Sequence, residues 1–127
     1  MTMKSIQTEK APRVVGPYSQ AIISGGFVFC SGQIGIDPKT NDLVEGFKNQ
    51  THQVLKNLAE VLKASHSGLE YVVKTTVYLA DIKDYIEMNE IYGQYFSENK
   101  PARAAFAVAH LPKDALIEIE VIAEIIT

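Results

Sequence analysis

Three charged residues raise the chemical question. Arg103 stands at the mouth of an apolar run, "PARAAFAVA", and Glu118 and Glu120 are set among aliphatic residues in "LIEIEVIAEII". A charge in such surroundings costs several kcal/mol unless it is paired or hydrogen-bonded. Arg103 therefore fits either of two roles: an ion pair with a glutamate, or a clamp for a substrate carboxylate, which a planar guanidinium binds bidentately. Glu118 and Glu120, two apart on a strand, point the same way and lie about 7 Å from each other. They are either solvated or salt-bridged at a sheet edge, or desolvated by their apolar neighbours and poised for acid–base work.

The remaining candidates are weaker. Tyr18 in "GPYSQ" and Ser31 in "SGQ" could donate hydroxyl hydrogen bonds, although both residue types also serve turns. His52, His66 and His110 fall on a helix, at a helix end and in a loop, without the close local pairing of a zinc site, so no metal is expected. Neither G-x-S-x-G nor a phosphate-binding G-x-x-x-x-G-K-[ST] occurs. The single cysteine, Cys30 in "FVFCSG", cannot form an internal disulfide; it reads as a small strand residue in a reducing compartment.

Length and composition bound the frame that holds these groups. A chain of 127 residues fits one domain, 1–127, able to bury roughly two thirds of its unfolded surface. The formal net charge is −3 with lysines scattered, which leaves no electrostatic footprint for duplex nucleic acid or an anionic membrane. No apolar run approaches the roughly 20 residues of a membrane span, and "MTMKSIQTEK" lacks the apolar block of a signal peptide; the expectation is cytoplasmic.

The elements follow from periodicity. Gly25-Gly26 suits a tight hairpin between strands near 20–24 and 27–31. Phe47, Val54, Leu55, Leu58, Val61 and Leu62 make the core stripe of a helix from Glu45 to about His66, with Gly68 placed to end it. "EYVVKTTVYLA" is a long strand with Tyr71, Val73, Thr75, Val77 and Leu79 on one face. Asp84 and Glu87 have capping-box spacing for a second helix carrying Tyr85, Met88, Tyr92, Tyr95 and Phe96 along one side, stopped by Pro101. Two strands, about 103–109 and 116–126, complete a ββαβαββ order: an α+β fold with two helices on one face of a mixed sheet. Its other face is left to be buried against further subunits.

Taken together, "GPYSQA", "SGQIGIDPKT", "VVKTTVYLAD", "MNEIYGQYF" and "PARAAFAVAHLPKDALIEIEVIA" resemble the RidA/YjgF family of enamine/imine deaminases, from about Ala11 to Ala123. The resemblance implies a chorismate-mutase-like fold assembled as a homotrimer, with ligand clefts between subunits. It implies hydrolysis of 2-aminoacrylate- and 2-aminocrotonate-type enamines and imines to 2-keto acids and ammonia, with no metal or organic cofactor. Arg103 then matches the arginine that grips the substrate carboxylate, and Glu118 the glutamate that holds the attacking water. Tyr18, Ser31, Gly32 and Asn89 match positions lining the cleft, and the backbone at Ala105 would donate to the ligand. Glu120 is left a structural part.

The chain departs from many bacterial members at Ala105, where they carry cysteine, and at Ala107 and His110, where polar or arginine residues are common. Two other functions stand beside the deaminase. One is a single-stranded-RNA endoribonuclease and translation inhibitor, against which the acidic balance weighs. The other is a non-enzymatic small-carboxylate-binding or chaperone-like protein.

Overall fold

The computed structural model describes residues 3–126, so Met1, Thr2 and Thr127 of the expected 1–127 domain lie outside the described residues. Eight strands and two α-helices follow one another: β1 (Lys4–Ile6), β2 (Ala21–Ser24), β3 (Phe27–Ile34), β4 (Ile36–Asp37), β5 (Asp42–Leu43), α1 (Phe47–Ala64), β6 (Val72–Leu79), α2 (Tyr85–Tyr95), β7 (Ala102–Ala107) and β8 (Ile117–Glu124). Gly25 and Gly26 have φ of 61° and 85°, as a two-residue hairpin turn with the twist of its flanking strands requires. Six strands form one sheet in the order β1-β2-β3-β8-β6-β7, and β4 pairs with β5 in a small separate ribbon. Only the β6–β7 pair is parallel, so the sheet is mixed. The ββαβαββ core is present, with β1 added at the edge and the ribbon inserted before α1.

Both helices contribute to the core on one face of the sheet. Along α1, Val54, Leu55, Leu58, Val61 and Leu62 are fully buried, and they meet Val77, Leu79, Ile117, Ile119 and Val121 from the central strands. Each such aliphatic side chain contributes about 1.5–3 kcal/mol of burial. The polar residues in this layer are tied to backbone. Gln50 Oε1 accepts from Leu116 N at 2.8 Å, and Asn57 Nδ2 donates to Ile36 O at 2.9 Å and Ile34 O at 3.3 Å. These bonds fix α1 against the end of β3 and the start of β8.

Among the described residues, no helix covers the opposite face of the sheet. Phe27, Phe29 and Phe106 are between 37% and 45% exposed there, beside Ile122 and the glutamates of β8.

Local geometry differs from expectation at four points. Helix α1 ends at Ala64, and Gly68 is extended (φ −174°); His66 takes the left-handed step instead (φ 58°). Backbone bonds from Ser67 N to Leu62 O (2.9 Å) and from Ser65 N to Leu62 O (3.0 Å) close the helix end and offset the strain of a non-glycine there. At the second helix, Asp84 makes no capping bond; Asp81 does so one turn earlier, accepting from Lys83 N at 2.9 Å. That helix ends at Tyr95, well before Pro101. Along β6, a register shift between Val72 and Lys74 breaks the two-residue alternation: Val72 turns inward, while Tyr71 and Val73 are exposed. Finally, β3 runs on to Ile34, because a second irregularity between Cys30 and Gln33 lets pairing with β8 resume.

Candidate active site

The site residues fall into two groups. The first lines a cavity of about 500 Å³ between the "VVGPYS" loop, the end of β3 and the "HLPKDA" turn. Tyr18, Ser31, Gly32, Asn41, Lys113 and Glu118 are on its walls. Ser31 is tied down on both sides: its Oγ donates to Ser19 O at 2.6 Å and its backbone N to Gln20 O at 2.9 Å. The irregularity of β3 between Cys30 and Gln33 brings Gly32 directly against the Glu118 side chain. A Cβ on Gly32 would overlap Glu118 Oε2 and lie 2.9 Å from its Cδ. An alanine here would force the Glu118 side chain to shift, since the backbone itself is one wall of the carboxylate's pocket.

Glu118 is half-buried, and among the described residues no side-chain hydrogen bond engages its carboxylate. Desolvation raises its pKa above the ordinary glutamate value, and the charge of Glu120 adds to the rise. A carboxylate in that condition holds a proton more readily than one in water, as a general base should. Glu120, two residues on, is exposed, in register with Thr76.

The second group surrounds Arg103 on β7. Its Nη2 donates to Tyr85 Oη at 3.0 Å, and its Nη1 approaches Met88 Sδ at 3.8 Å. The guanidinium carbon sits 4.9 Å from the centre of the Tyr92 ring and 5.7 Å from that of Tyr85, within cation–π range. No carboxylate among the described residues is ion-paired with it. Of the two roles open to Arg103, the ion pair with a glutamate is thus not formed within the chain. Ala105 is two residues along the same strand and half-buried, and Asn89 lies one helical turn from both Tyr85 and Tyr92.

The two groups do not meet within one chain. Arg103 shares a row of the sheet with Thr75 and Val121, whose side chains are buried under the helices. Glu118 lies three rows along, on β8, and faces the other way. Strand spacing and rise put their Cα atoms roughly 14 Å apart. A single copy does not bring Arg103 and Glu118 together, because β6 separates their strands and the pleat sends the side chains to opposite faces.

Elsewhere, His52 Nδ1 meets Tyr95 Oη at 2.7 Å on the helical surface, His66 takes the left-handed step just past the end of α1 and His110 is exposed in a loop. Cys30 is buried, and burial pushes its thiol pKa up to about 12. Sequence reasoning placed Tyr85, Met88 and Tyr92 on one helical side without linking them to Arg103. The available signal was two tyrosines seven residues apart on the face that packs toward the arginine's strand.

Comparison with known proteins extends these observations. The sequence model of the family described as Endoribonuclease L-PSP matches residues 8–125. A RutC family protein of Pyrococcus horikoshii is 56% identical over 119 residues, covering 93% of this chain and 94% of that protein. The human 2-iminobutanoate/2-iminopropanoate deaminase is 53% identical over 119 residues, covering 93% of this chain and 87% of that one. Among solved structures, RidA from the Antarctic bacterium Psychrobacter sp. superposes with a TM-score of 0.94 at 48% identity, covering 96% of this chain and 99% of that one.

Proposed function

The chain belongs to the Endoribonuclease L-PSP (RidA/YjgF) family, and on that premise we propose that it hydrolyses 2-imino and 2-enamino acids to 2-keto acids and ammonia. The observation that carries this reading is the unpaired Arg103, a guanidinium held by neutral groups and left free for an anion. The 53% identity to the human deaminase supports the reaction class.

The catalytic site is assigned to the junction of two subunits in a homotrimer, each chain forming one domain. Arg103, Ala105 and Asn89 of one subunit meet Tyr18, Ser31, Gly32 and Glu118 of the next. Two features support this: the halves are each well formed but separated within one chain, and the face bearing Phe27, Phe29 and Phe106 is apolar and uncovered. The formal net charge of −3 with scattered lysines offers no basic groove for a polyanion, so no nucleic-acid partner is assigned. A cytoplasmic location accords with the single free cysteine.

In this reading Arg103 binds the substrate carboxylate and so orients the adjacent C=N carbon. Glu118 accepts a proton from water as the water oxygen bonds to that carbon and the C=N π electrons move to nitrogen. The proton returns from Glu118 to that nitrogen, giving the neutral carbinolamine; Glu118 then takes the hydroxyl proton and passes it to the nitrogen as the C–N bond breaks, the C=O forms and ammonia leaves. An enamine first tautomerises to the imine, taking a proton on its β-carbon and giving one up from its nitrogen. The substrate is already unstable in water, so orientation and one base account for the acceleration.

The test couples a serine or threonine dehydratase to keto-acid detection. Wild type should speed release of pyruvate or 2-oxobutyrate, and Arg103→Ala should not, while sedimentation gives three times the 14.0 kDa chain mass for both. Equal acceleration by Arg103→Ala would refute the clamp, and no acceleration by assembled wild type would refute the deaminase.

A further inference from the structure

We propose that Tyr85 is the positioning residue of the Arg103 clamp: its hydroxyl fixes the guanidinium for a carboxylate without neutralising it, while the Tyr92 ring supports the guanidinium face. The proposal rests on the reading of Arg103 as a carboxylate binder.

A free arginine side chain has several soft torsions, and binding a carboxylate bidentately requires one setting of them. Here the setting exists before any ligand arrives. Nη2 donates to Tyr85 Oη at 3.0 Å, and Nη1 lies 3.8 Å from Met88 Sδ, a weak acceptor. The Tyr92 ring lies 4.9 Å from the guanidinium carbon, and the Tyr92 hydroxyl is itself held by Thr75 Oγ1 at 2.8 Å. Thr75 is fully buried, so this chain of contacts starts in the rigid centre of the sheet and ends at the arginine. Tyr85 in turn opens α2, directly after the turn capped by Asp81.

The chemistry of the acceptor matters. A guanidinium has five N–H donors, and these contacts engage two of them. Three remain, enough for a two-pronged bond to a carboxylate. A glutamate in place of Tyr85 could hold the same nitrogen but would neutralise it and compete with the ligand. A phenol is an acceptor without that charge. It limits rotation about the Cζ–N bonds, and the loss of freedom that binding would otherwise exact has already occurred.

The experiment uses the assembled full chain with 2-oxobutyrate, a stable product-like carboxylate, as the calorimetric probe. Tyr85→Phe keeps the ring and deletes the hydroxyl; the dissociation constant should rise about tenfold, the usual weight of a hydrogen bond to a charged group. Tyr85→Glu should weaken binding further. Nitrogen-detected NMR supplies a readout that general loosening would not mimic: separate Nη signals of Arg103 in wild type should merge in Tyr85→Phe, with melting temperature and assembly unchanged. If Arg103→Ala abolishes binding but Tyr85→Phe stays within twofold of wild type, the positioning role is overturned and the clamp stands. If Arg103→Ala itself binds as wild type, the clamp reading fails, and the proposal fails with it.

Discussion

Arg103 and Glu118 leave opposite faces of one sheet, on strands that β6 keeps apart. No rotamer change within the chain closes a gap set by the pleat and by strand spacing. A site that uses both must take them from different copies, and complementation can test this. Arg103→Ala and Glu118→Gln should each be inactive alone. Refolded together in equal amounts, randomly mixed assemblies should recover about a quarter of the wild-type rate, the fraction of junctions with both residues intact. A mixture as inactive as its parts would place both residues in one subunit's site.

Gly32 and Glu118 share their space so closely that one methyl group should be decisive. Gly32→Ala must displace the Glu118 carboxylate or push β3 away from β8. The expected result is a loss of rate comparable to that of Glu118→Gln, on the order of the 10²-fold that misplacing a catalytic group can bring. Circular dichroism should be unchanged. Near-normal activity in Gly32→Ala would mean that the Glu118 side chain takes up the methyl by shifting and that its placement against Gly32 does not limit the rate.

The raised pKa of Glu118 has two consequences of fixed sign. As the base it must be ionised, so the acid limb of the pH–rate profile should lie above the ordinary glutamate range. Because the fold disfavours its charged form, the associated stability is fully present below the unfolded-state pKa and is lost as pH rises through the folded one. Glu118→Gln should therefore melt at a higher temperature than wild type near pH 7, with the gap closing below about pH 4. A lower melting temperature for the variant at neutral pH would contradict this.

Cys30 is paired with Val121 in the sheet interior, and burial pushes its pKa up to about 12. At pH 8 a maleimide should leave the native protein unmodified for hours and label it promptly in denaturant. Rapid labelling of native protein would mean that β3 opens locally. Cys30→Ser should retain activity, since the thiol points away from the Glu118 cavity and into the core.

The amino-acid sequence by itself determined the element types and their order. Period-3.6 burial along Phe47–Leu62 and period-2 burial along Ile117–Ala123 are local properties that any fold of this chain must satisfy. The Gly25-Gly26 turn is likewise local. Arg103 and Glu118 were legible as unusual because charge amid apolar neighbours needs an explanation. Tertiary structure decided the matters that depend on contacts between distant segments. The β6 irregularity at Val73 reversed the expected facing of Tyr71, and backbone bonds let His66 take the place of Gly68. Above all, the strand order set Arg103 beside Tyr85 and Tyr92 and away from Glu118. Periodicity assigns a side chain to one of two faces; only the packed sheet determines which strand lies between two residues, and hence whether one chain can bring them together.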